Sequence, residues 1–135
     1  MADSLQFSHI KEVCLYIHDL DKAEAFYHGL LGLPLYSKVA GRHIFFEAGS
    51  TMLLCFIADV TKKETRFPAH FGGGNQHMAF GVDLADYEAW KVKFQKLGIP
   101  ITHEHEWSSG LKSFYFEDPE GNVLEVVPNQ LWERN

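Results

Sequence analysis

Several features are missing from the 135-residue sequence, and each absence narrows its function. No apolar run approaches the ~20 residues of a membrane-spanning helix, and no signal peptide opens the chain. Lys and Arg number 12 against 18 Asp and Glu, so the net charge of −6 speaks against nucleic acid as a partner. The only two cysteines, Cys14 and Cys55, belong to no metal or redox motif. We therefore expect a reduced, cytoplasmic protein without a membrane or nucleic-acid partner.

The composition that is present is typical of a globular protein with one domain over residues 1–135. Hydrophobic residues make up 46% of the chain and charged residues 22%. Aromatic residues reach 14%, including 11 Phe, and such side chains suit both strands and the walls of a small-molecule pocket. Since no Gly-rich phosphate loop or nucleophile elbow is present, these two classes of active site are not expected.

One pattern occurs twice along the chain. EVCLYIHD at 12–19 is followed by a helical pattern and then by LGLPL at 31–35. HMAFGVD at 77–83 is followed by a second helical pattern and then by LGIPI at 97–101. An internal repeat is typical of a unit that cannot bury its apolar face alone, so two copies are expected to pack together.

Each copy is predicted to form a β-α-β-β-β module of an α+β fold. Alternating residues predict strands, and apolar residues at i, i+3, i+4 and i+7 predict helices. The first module spans about 8–58, the second about 76–130, and a polar, Gly-rich stretch at about 59–75 is the predicted linker. Hairpin strands are expected at about 42–47, 51–57, 112–117 and 122–127, with a further strand near 100–105.

The repeat brings candidate metal ligands into correspondence. It pairs Glu12 with His77, and it pairs Cys55 with Glu125, because equal spacings follow the motifs FFE and YFE. A two-fold relation between the modules would bring these four positions to one cleft. One imidazole and two carboxylates suit Mn²⁺, Fe²⁺, Ni²⁺, Co²⁺ or Zn²⁺, with coordination positions left for water or substrate.

Each candidate also has a purely structural interpretation. Glu12 is compatible with a solvated carboxylate on a half-exposed strand, and His77 with a core or edge histidine. Cys55 is compatible with a small core residue. Glu125 lies inside the apolar run 123–127, where an unpaired carboxylate is costly, and this position favours a metal or cationic partner.

The run His103-Glu104-His105-Glu106 has two interpretations of its own. On a strand it places two histidines on one face and two glutamates on the other. A His-x-His metal pair is one interpretation. A solvated edge strand, whose charges discourage pairing with another sheet, is the favoured one.

Further motifs resemble the vicinal oxygen chelate superfamily over nearly the whole chain. They are YIHDL at 16–20 running into AFY at 25–27 and LG at 31–32, then QHMAF at 76–80, SFYFEDPEGN at 113–122 and LE at 124–125. This superfamily includes glyoxalase I, fosfomycin-resistance enzymes, methylmalonyl-CoA epimerase, extradiol dioxygenases and bleomycin-resistance proteins. The resemblance implies two modules that form a cup-shaped mixed sheet around a cleft, and a homodimer.

The resemblance also implies a divalent metal ion that acts as a Lewis acid on neighbouring substrate oxygens. Its ligands would be His77, Glu125 and Glu12, the last in place of the family's His or Gln. Glu12 and Tyr115 are the candidate catalytic residues. Cys55 stands where glyoxalases carry Glu, which argues against four protein ligands and resembles the fosfomycin-modifying branch.

The phosphonate-binding residues of that branch match only in part. Ser109, Tyr115 and Arg134 fall at corresponding positions, whereas Cys14 replaces a Thr and His105 replaces a basic residue. The substrate candidates are therefore Cys14, Cys55, Ser109, Tyr115 and Arg134. We expect a metal-dependent enzyme of the glyoxalase, fosfomycin-resistance or dioxygenase type acting on a small oxygenated substrate. The alternative is a metal-free protein of the bleomycin-resistance type that binds an aromatic or cationic compound.

Overall fold

The structure, a computed structural model, describes residues 4–133 and divides into two compact units, with the boundary between Gly73 and Gly74. Each unit contains one four-stranded mixed sheet and helices. The predicted α+β fold of two tandem βαβββ modules is therefore confirmed. Within residues 4–133, every helix is too short or too polar to cross a membrane.

Unit 1 has the strand order β1-β4-β3-β2, in which β1 runs parallel to β4 and the other neighbours are antiparallel. Helix α1 continues without a break into a π-helical segment. The elements are β1 (Glu12–Ile17), α1 (Leu20–Ala23), the π-helical segment (Glu24–Leu30), β2 (Leu35–Val39), β3 (His43–Ala48), β4 (Thr51–Ile57) and α2 (Ala58–Thr61).

The first helix of unit 1 begins at a side-chain cap and buries one aromatic face. The Asp19 carboxylate accepts a hydrogen bond from the backbone N–H of Lys22 at 3.0 Å, which satisfies one of the free donors of the first turn. One turn further along, Tyr27 is completely buried, and its ring lies 5.5 Å from that of Phe46 on β3. This contact holds the helix on the core face of the sheet.

Unit 2 repeats the plan with the order β5-β8-β7-β6 and a parallel β5–β8 pair. Phe94 of its long helix packs edge-on against Phe114 and Phe116 of β7, at 5.1 and 4.7 Å between ring centres. The elements are β5 (His77–Val82), a 3₁₀ turn (Leu84–Asp86), α3 (Tyr87–Leu97), β6 (His103–Glu106), β7 (Lys112–Glu117) and β8 (Val123–Pro128).

The strand registers correct the predicted correspondence between Cys55 and Glu125. In unit 2, Glu125 lies opposite Tyr115 of β7. In unit 1, the residue opposite Phe45, the counterpart of Tyr115, is Leu54. The β3–β4 hairpin is one residue shorter than the β7–β8 hairpin, so equal spacing along the sequence does not give equal positions in the sheet.

This shift of one residue moves Cys55 to the opposite face of its sheet. Cys55 is paired with Leu15 and Ile44 in the register, and it is fully buried on the core face. Cys14 lies on the other face and is exposed. Both side chains are thiols, as predicted, but only Cys14 shares a face with Glu12.

The segment predicted as a linker folds against unit 1. It begins with α2, and its residues as far as Gly73 belong to that unit. The Tyr16 hydroxyl and His70 Nδ1 form a hydrogen bond of 2.7 Å. A Cβ atom added at Gly72 would lie 2.9 Å from the Tyr16 ring, so the chain passes closer to this ring than a side chain would allow.

We predict that Thr61→Val leaves the fold intact and raises the free energy of unfolding by about 1 kcal/mol. The Thr61 side chain is completely buried, and its hydroxyl lacks a hydrogen-bond partner among the described residues, so valine of the same shape removes an uncompensated polar group. Urea denaturation measures the change. The matched control is Thr51→Val, which removes the 3.0 Å hydrogen bond from Thr51 to the Ile10 carbonyl and should lose about 0.5 kcal/mol. A destabilised Thr61→Val protein would contradict the prediction.

Candidate metal centre

His77 and Glu125 lie side by side on one face of the second sheet. His77 is the first residue of β5, and Glu125 is the third residue of the neighbouring parallel strand β8. Ala79, two residues after His77, is the register partner of Glu125, so all three residues point to the same side. His77 Nε2 lies 3.4 Å from Glu125 Oε1. The structure therefore brings together two of the three predicted metal ligands.

A backbone hydrogen bond determines which nitrogen of His77 carries a proton. Nδ1 lies 2.8 Å from the carbonyl oxygen of Val123, and a carbonyl can only accept, so Nδ1 is the donor. In the neutral ring, Nε2 then carries a lone pair directed at the carboxylate of Glu125. Two acceptors at 3.4 Å need a proton or a cation between them. A histidine oriented through its other nitrogen in this way is typical of metal sites.

Glu125 has the second feature that fits a cation. The residue is only 5% exposed, and its Oε2 atom has no hydrogen-bond partner among the described residues. Burying a carboxylate oxygen without a partner is costly, and a divalent ion is one of the few groups that offsets this cost. The donor set of one imidazole nitrogen and one carboxylate fits Mn²⁺, Fe²⁺, Ni²⁺, Co²⁺ or Zn²⁺.

Tyr115 supports this pair from β7. It is the register partner of Glu125, and its ring stacks on that of His77 with 6.1 Å between ring centres. Burial, followed by the negative charge of Glu125 and a hydrogen bond to it, raises the pKa of the Tyr115 hydroxyl. The phenol is therefore protonated at neutral pH and is available as a hydrogen-bond donor beside the carboxylate.

The four-residue strand β6 extends the same face to the edge of the sheet. Its position and the exposure of all four residues confirm the predicted edge strand. His103 is paired with Tyr115, so it lies in the same row as Glu125, with its ring centre 5.7 Å from that of Tyr115. Glu104 points to the opposite face and binds Tyr87 and Lys91. The sequence gives no sign that His103 shares a row with Glu125, because this position follows from the register between the strands.

Trp107 follows β6 directly and contacts His105 and Ser113. Its ring lies edge-on to that of His105, with 4.6 Å between ring centres, and its indole N–H donates to Ser113 at 3.0 Å. The sequence analysis did not single out this residue. No spacing signal marks it, because it follows the last residue of β6 and its contacts are set by the turn that leads to β7.

Glu12 and Cys14 lie on the corresponding face of unit 1. Glu12 is exposed at the first residue of β1 and occupies the register position in its sheet that His77 occupies in the other. Burial and the charge of Glu12 raise the pKa of the Cys14 thiol. Across residues 4–133, no three His, Cys, Asp or Glu side chains lie close enough together to hold a metal ion.

The remaining substrate candidates have diverse surroundings. Ser109 is exposed in the turn before β7, where its hydroxyl accepts a 3.4 Å hydrogen bond from the N–H of Leu111. Cys55 lies on the core face, as described above, and this position removes it from the face that carries Glu12. Arg134 lies outside the described residues. Of these candidates, Tyr115 is the one in contact with the His77–Glu125 pair.

An aromatic cluster occupies the face of the first sheet that corresponds to the face with the candidate ligands in the second sheet. Leu54 and Phe45 stand at the positions of Glu125 and Tyr115. The ring of His43 stacks on that of Phe45 at 4.0 Å, and Phe56 lies edge-on to both. Burial, and then the charge of Arg42, lower the pKa of His43, so this imidazole is neutral at pH 7.

We predict that Glu125→Gln lowers the pKa of Tyr115 in metal-free protein. The substitution removes the negative charge and the carboxylate hydrogen bond, which together with burial hold this pKa above its usual range. Carbon-13 NMR of the labelled tyrosine ring carbons against pH measures the shift. The control is Tyr16, whose pKa is raised by burial and by Cys14 and should not move. An unchanged Tyr115 pKa would show that Glu125 does not act on the phenol.

Comparison with known proteins agrees with this architecture. The chain is 29% identical to the metallothiol transferase FosB of Shouchella clausii over 129 residues, covering 93% of this chain and 83% of FosB. It is 28% identical to the glutathione transferase FosA of Serratia marcescens over 125 residues, covering 93% of this chain and 84% of FosA.

Among solved structures, the lactoylglutathione lyase from Agrobacterium tumefaciens superposes with a TM-score of 0.89 at 38% identity, covering 96% of this chain and 100% of that one. The family model that describes the Glyoxalase/Bleomycin resistance protein/Dioxygenase superfamily matches residues 6–126, which is most of the chain. With this match and the two βαβββ modules, the chain belongs to the Glyoxalase/Bleomycin resistance protein/Dioxygenase superfamily.

Proposed function

We propose that this protein is a divalent-metal-dependent enzyme that acts on a small oxygenated substrate. The observation that carries the proposal is the pair of facing acceptors, His77 Nε2 and Glu125 Oε1, at 3.4 Å. The buried, unpartnered Oε2 of Glu125 supports it. A pair that served only to stabilise the fold would be expected to have its buried oxygen satisfied.

His77 and Glu125 supply two ligands in this proposal, and the role of Glu12 as a third ligand stays a prediction from the sequence. Leu54, at the register position that corresponds to Glu125, has a hydrocarbon side chain, which supports a ligand set without a fourth protein ligand from that position. His77 and Glu125 would leave coordination positions of a bound ion open, and the chemistry such an ion would supply there is Lewis-acid activation of substrate oxygens.

Other residues of this proposal orient the ligands or exchange protons. Tyr115 is proposed to donate its phenolic proton in a hydrogen bond, either to Glu125 or to a substrate oxygen, because its raised pKa keeps it protonated at neutral pH. The catalytic role of Glu12, an exposed carboxylate of the other unit, stays a prediction from the sequence. The stacked ring of Tyr115 limits rotation of the His77 imidazole and so keeps Nε2 directed at Glu125.

A thiol compound is the proposed co-substrate class. The names of the three relatives, a metallothiol transferase, a glutathione transferase and a lactoylglutathione lyase, each refer to a thiol or to glutathione. We extend this shared chemistry to the present chain. The proposed reactions are thiol addition to a small oxygenated electrophile and the rearrangement of a glutathione adduct.

We predict that Mn²⁺, Ni²⁺ or Zn²⁺ raises the melting temperature of the untagged protein in proportion to the logarithm of metal concentration. Binding to the folded state alone stabilises that state by mass action. The response should weaken as the pH falls, since imidazole and carboxylates bind metal only when deprotonated. His77→Ala should abolish the shift, and thermal melts of both proteins with and without metal measure it.

The matched control is His28→Ala. His28 also donates through Nδ1 to a backbone carbonyl at 2.8 Å, that of Leu33, but it forms no ion pair with a carboxylate within the described part of the chain. Its replacement should leave the metal response unchanged. If wild type shows no response between pH 6 and 8, the enzyme proposal is wrong.

The second candidate is a metal-free protein that binds an aromatic or cationic compound. The cluster of Phe45, Phe56 and His43 on the first sheet favours it, because stacked rings bind planar and cationic groups. In that case an aromatic cation alone would raise the melting temperature, and metal would have no effect. The same set of melts therefore separates the two candidates.

A further inference from the structure

A buried amide lies next to the His77–Glu125 pair without belonging to it. Asn122 is 1% exposed, and its Oδ1 accepts hydrogen bonds from the backbone N–H of Gln76 at 3.1 Å and from the Gln76 side chain at 3.0 Å. Its Nδ2 donates to Asp118 Oδ2 at 2.9 Å. Every bond has the donor and acceptor that an amide requires, so the orientation of the amide is determined.

Asp118 is itself held by the backbone of the turn. Its Oδ1 accepts from the N–H groups of Glu120 and Asn122, at 2.9 Å each. Asp118 is therefore a fully bonded carboxylate that locks the amide, in contrast to Glu125 with its unpartnered oxygen. The amide in turn reaches across to the neighbouring strand through Gln76.

Two residues next to this network, Gln76 and Val123, form the hydrogen bonds that orient His77. Gln76 immediately precedes His77, and Val123 immediately follows Asn122. The N–H of Val123 donates to the Gln76 carbonyl at 2.8 Å, and the Val123 carbonyl accepts from His77 Nδ1 at 2.8 Å. The position of the Val123 carbonyl determines which nitrogen of His77 faces Glu125, and Asn122 holds the two chain segments at the distance this bond requires.

His77 needs such support because of its place in the fold. It is the first residue of an edge strand, its side chain is 52% exposed, and it follows the sequence GGGNQ at 72–76. Glycines lose more conformational entropy on ordering than other residues, so this entry to the strand is prone to fray. The stacked Tyr115 ring limits rotation of the half-exposed imidazole but does not fix which of its two nitrogens carries the proton.

The first module has a weaker version of the same contact. There Thr51 donates a single side-chain hydrogen bond to the Ile10 carbonyl. Thr51 precedes Met52, which is the register partner of Glu12. The corresponding backbone bond, from Met52 N–H to the Lys11 carbonyl, is kept at 2.8 Å. The two modules therefore share the backbone pairing, and within residues 4–133 the buried amide–carboxylate network is found at the module with the facing pair.

We propose that Asn122, locked by Asp118, is a positioning residue that keeps His77 in the Nδ1–H form with Nε2 directed at Glu125. The expected effect on metal affinity rests on the proposed function. The expected effect on the His77 tautomer is a property of the metal-free protein. Partners that orient a metal-binding histidine typically affect metal affinity by about 10–100-fold. The same range is expected here for loss of the Asn122 amide.

The experiment compares three variants with wild type. Asn122→Ala removes the amide. The double variant Asp118→Asn, Asn122→Asp exchanges amide and carboxylate, so each hydrogen bond keeps one donor and one acceptor, and it serves as the rescue. Phe94→Leu, which shortens a buried side chain of α3 packed against β7, is the control for a general loss of stability.

Two readouts are measured on untagged protein. Calorimetric titration with Ni²⁺ alone should show affinity about 10–100-fold lower in Asn122→Ala, with affinity recovered in the double variant and unchanged in Phe94→Leu. Long-range proton–nitrogen NMR of the His77 ring in metal-free protein should show the Nδ1–H form in wild type. In Asn122→Ala it should show exchange between the two tautomers.

Each outcome decides one question. If Asn122→Ala melts lower but keeps both the wild-type Ni²⁺ affinity and a pure Nδ1–H ring, Asn122 only stabilises the turn and the inference is wrong. If Phe94→Leu loses Ni²⁺ affinity as well, the effect follows stability and the inference is also wrong. If wild type binds no Ni²⁺, the proposed function fails, while the NMR comparison still decides whether Asn122 positions His77.

Discussion

The central physical constraint in this protein is the approach of two hydrogen-bond acceptors, His77 Nε2 and Glu125 Oε1, to 3.4 Å. The Val123 carbonyl binds the other ring nitrogen, so the imidazole cannot relieve the contact by donating from Nε2 while it is neutral. Burial of Glu125 keeps water from compensating its charge. A proton or a cation between the two atoms would satisfy both groups, and the Val123 carbonyl and the Tyr115 ring hold the imidazole in this position.

The second module contains two buried carboxylates, Asp118 and Glu125, whose hydrogen bonding differs. Asp118 accepts two backbone N–H groups and one side-chain amide, which is the way an acidic residue stabilises a turn. Glu125 lies seven residues further along the chain and keeps one buried oxygen without a partner among the described residues. The charge of Asp118 is compensated by hydrogen bonds within the fold, whereas that of Glu125 is compensated only in part.

Duplication of one module has produced two faces with different chemistry on the same backbone plan. The positions of Tyr115 and Glu125 in the second sheet correspond to Phe45 and Leu54 in the first. A phenol and a carboxylate are thus replaced by a phenyl ring and an aliphatic chain, and the stacked rings of the first sheet bury apolar area instead of holding charge. At the strand position that corresponds to His77, the first sheet carries Glu12, which is also ionisable.

The sequence predicts the two modules, the strands 51–57 and 112–117, and the edge strand that contains His103. These follow from alternation and repeat spacing, which are local properties of the chain. Tertiary structure alone decided that Leu54 rather than Cys55 corresponds to Glu125, that His103 shares the row of Tyr115, and that Asn122 reaches Gln76. The physical reason is that register depends on hairpin length and on pairing between strands, and a change of one residue reverses which face a side chain occupies.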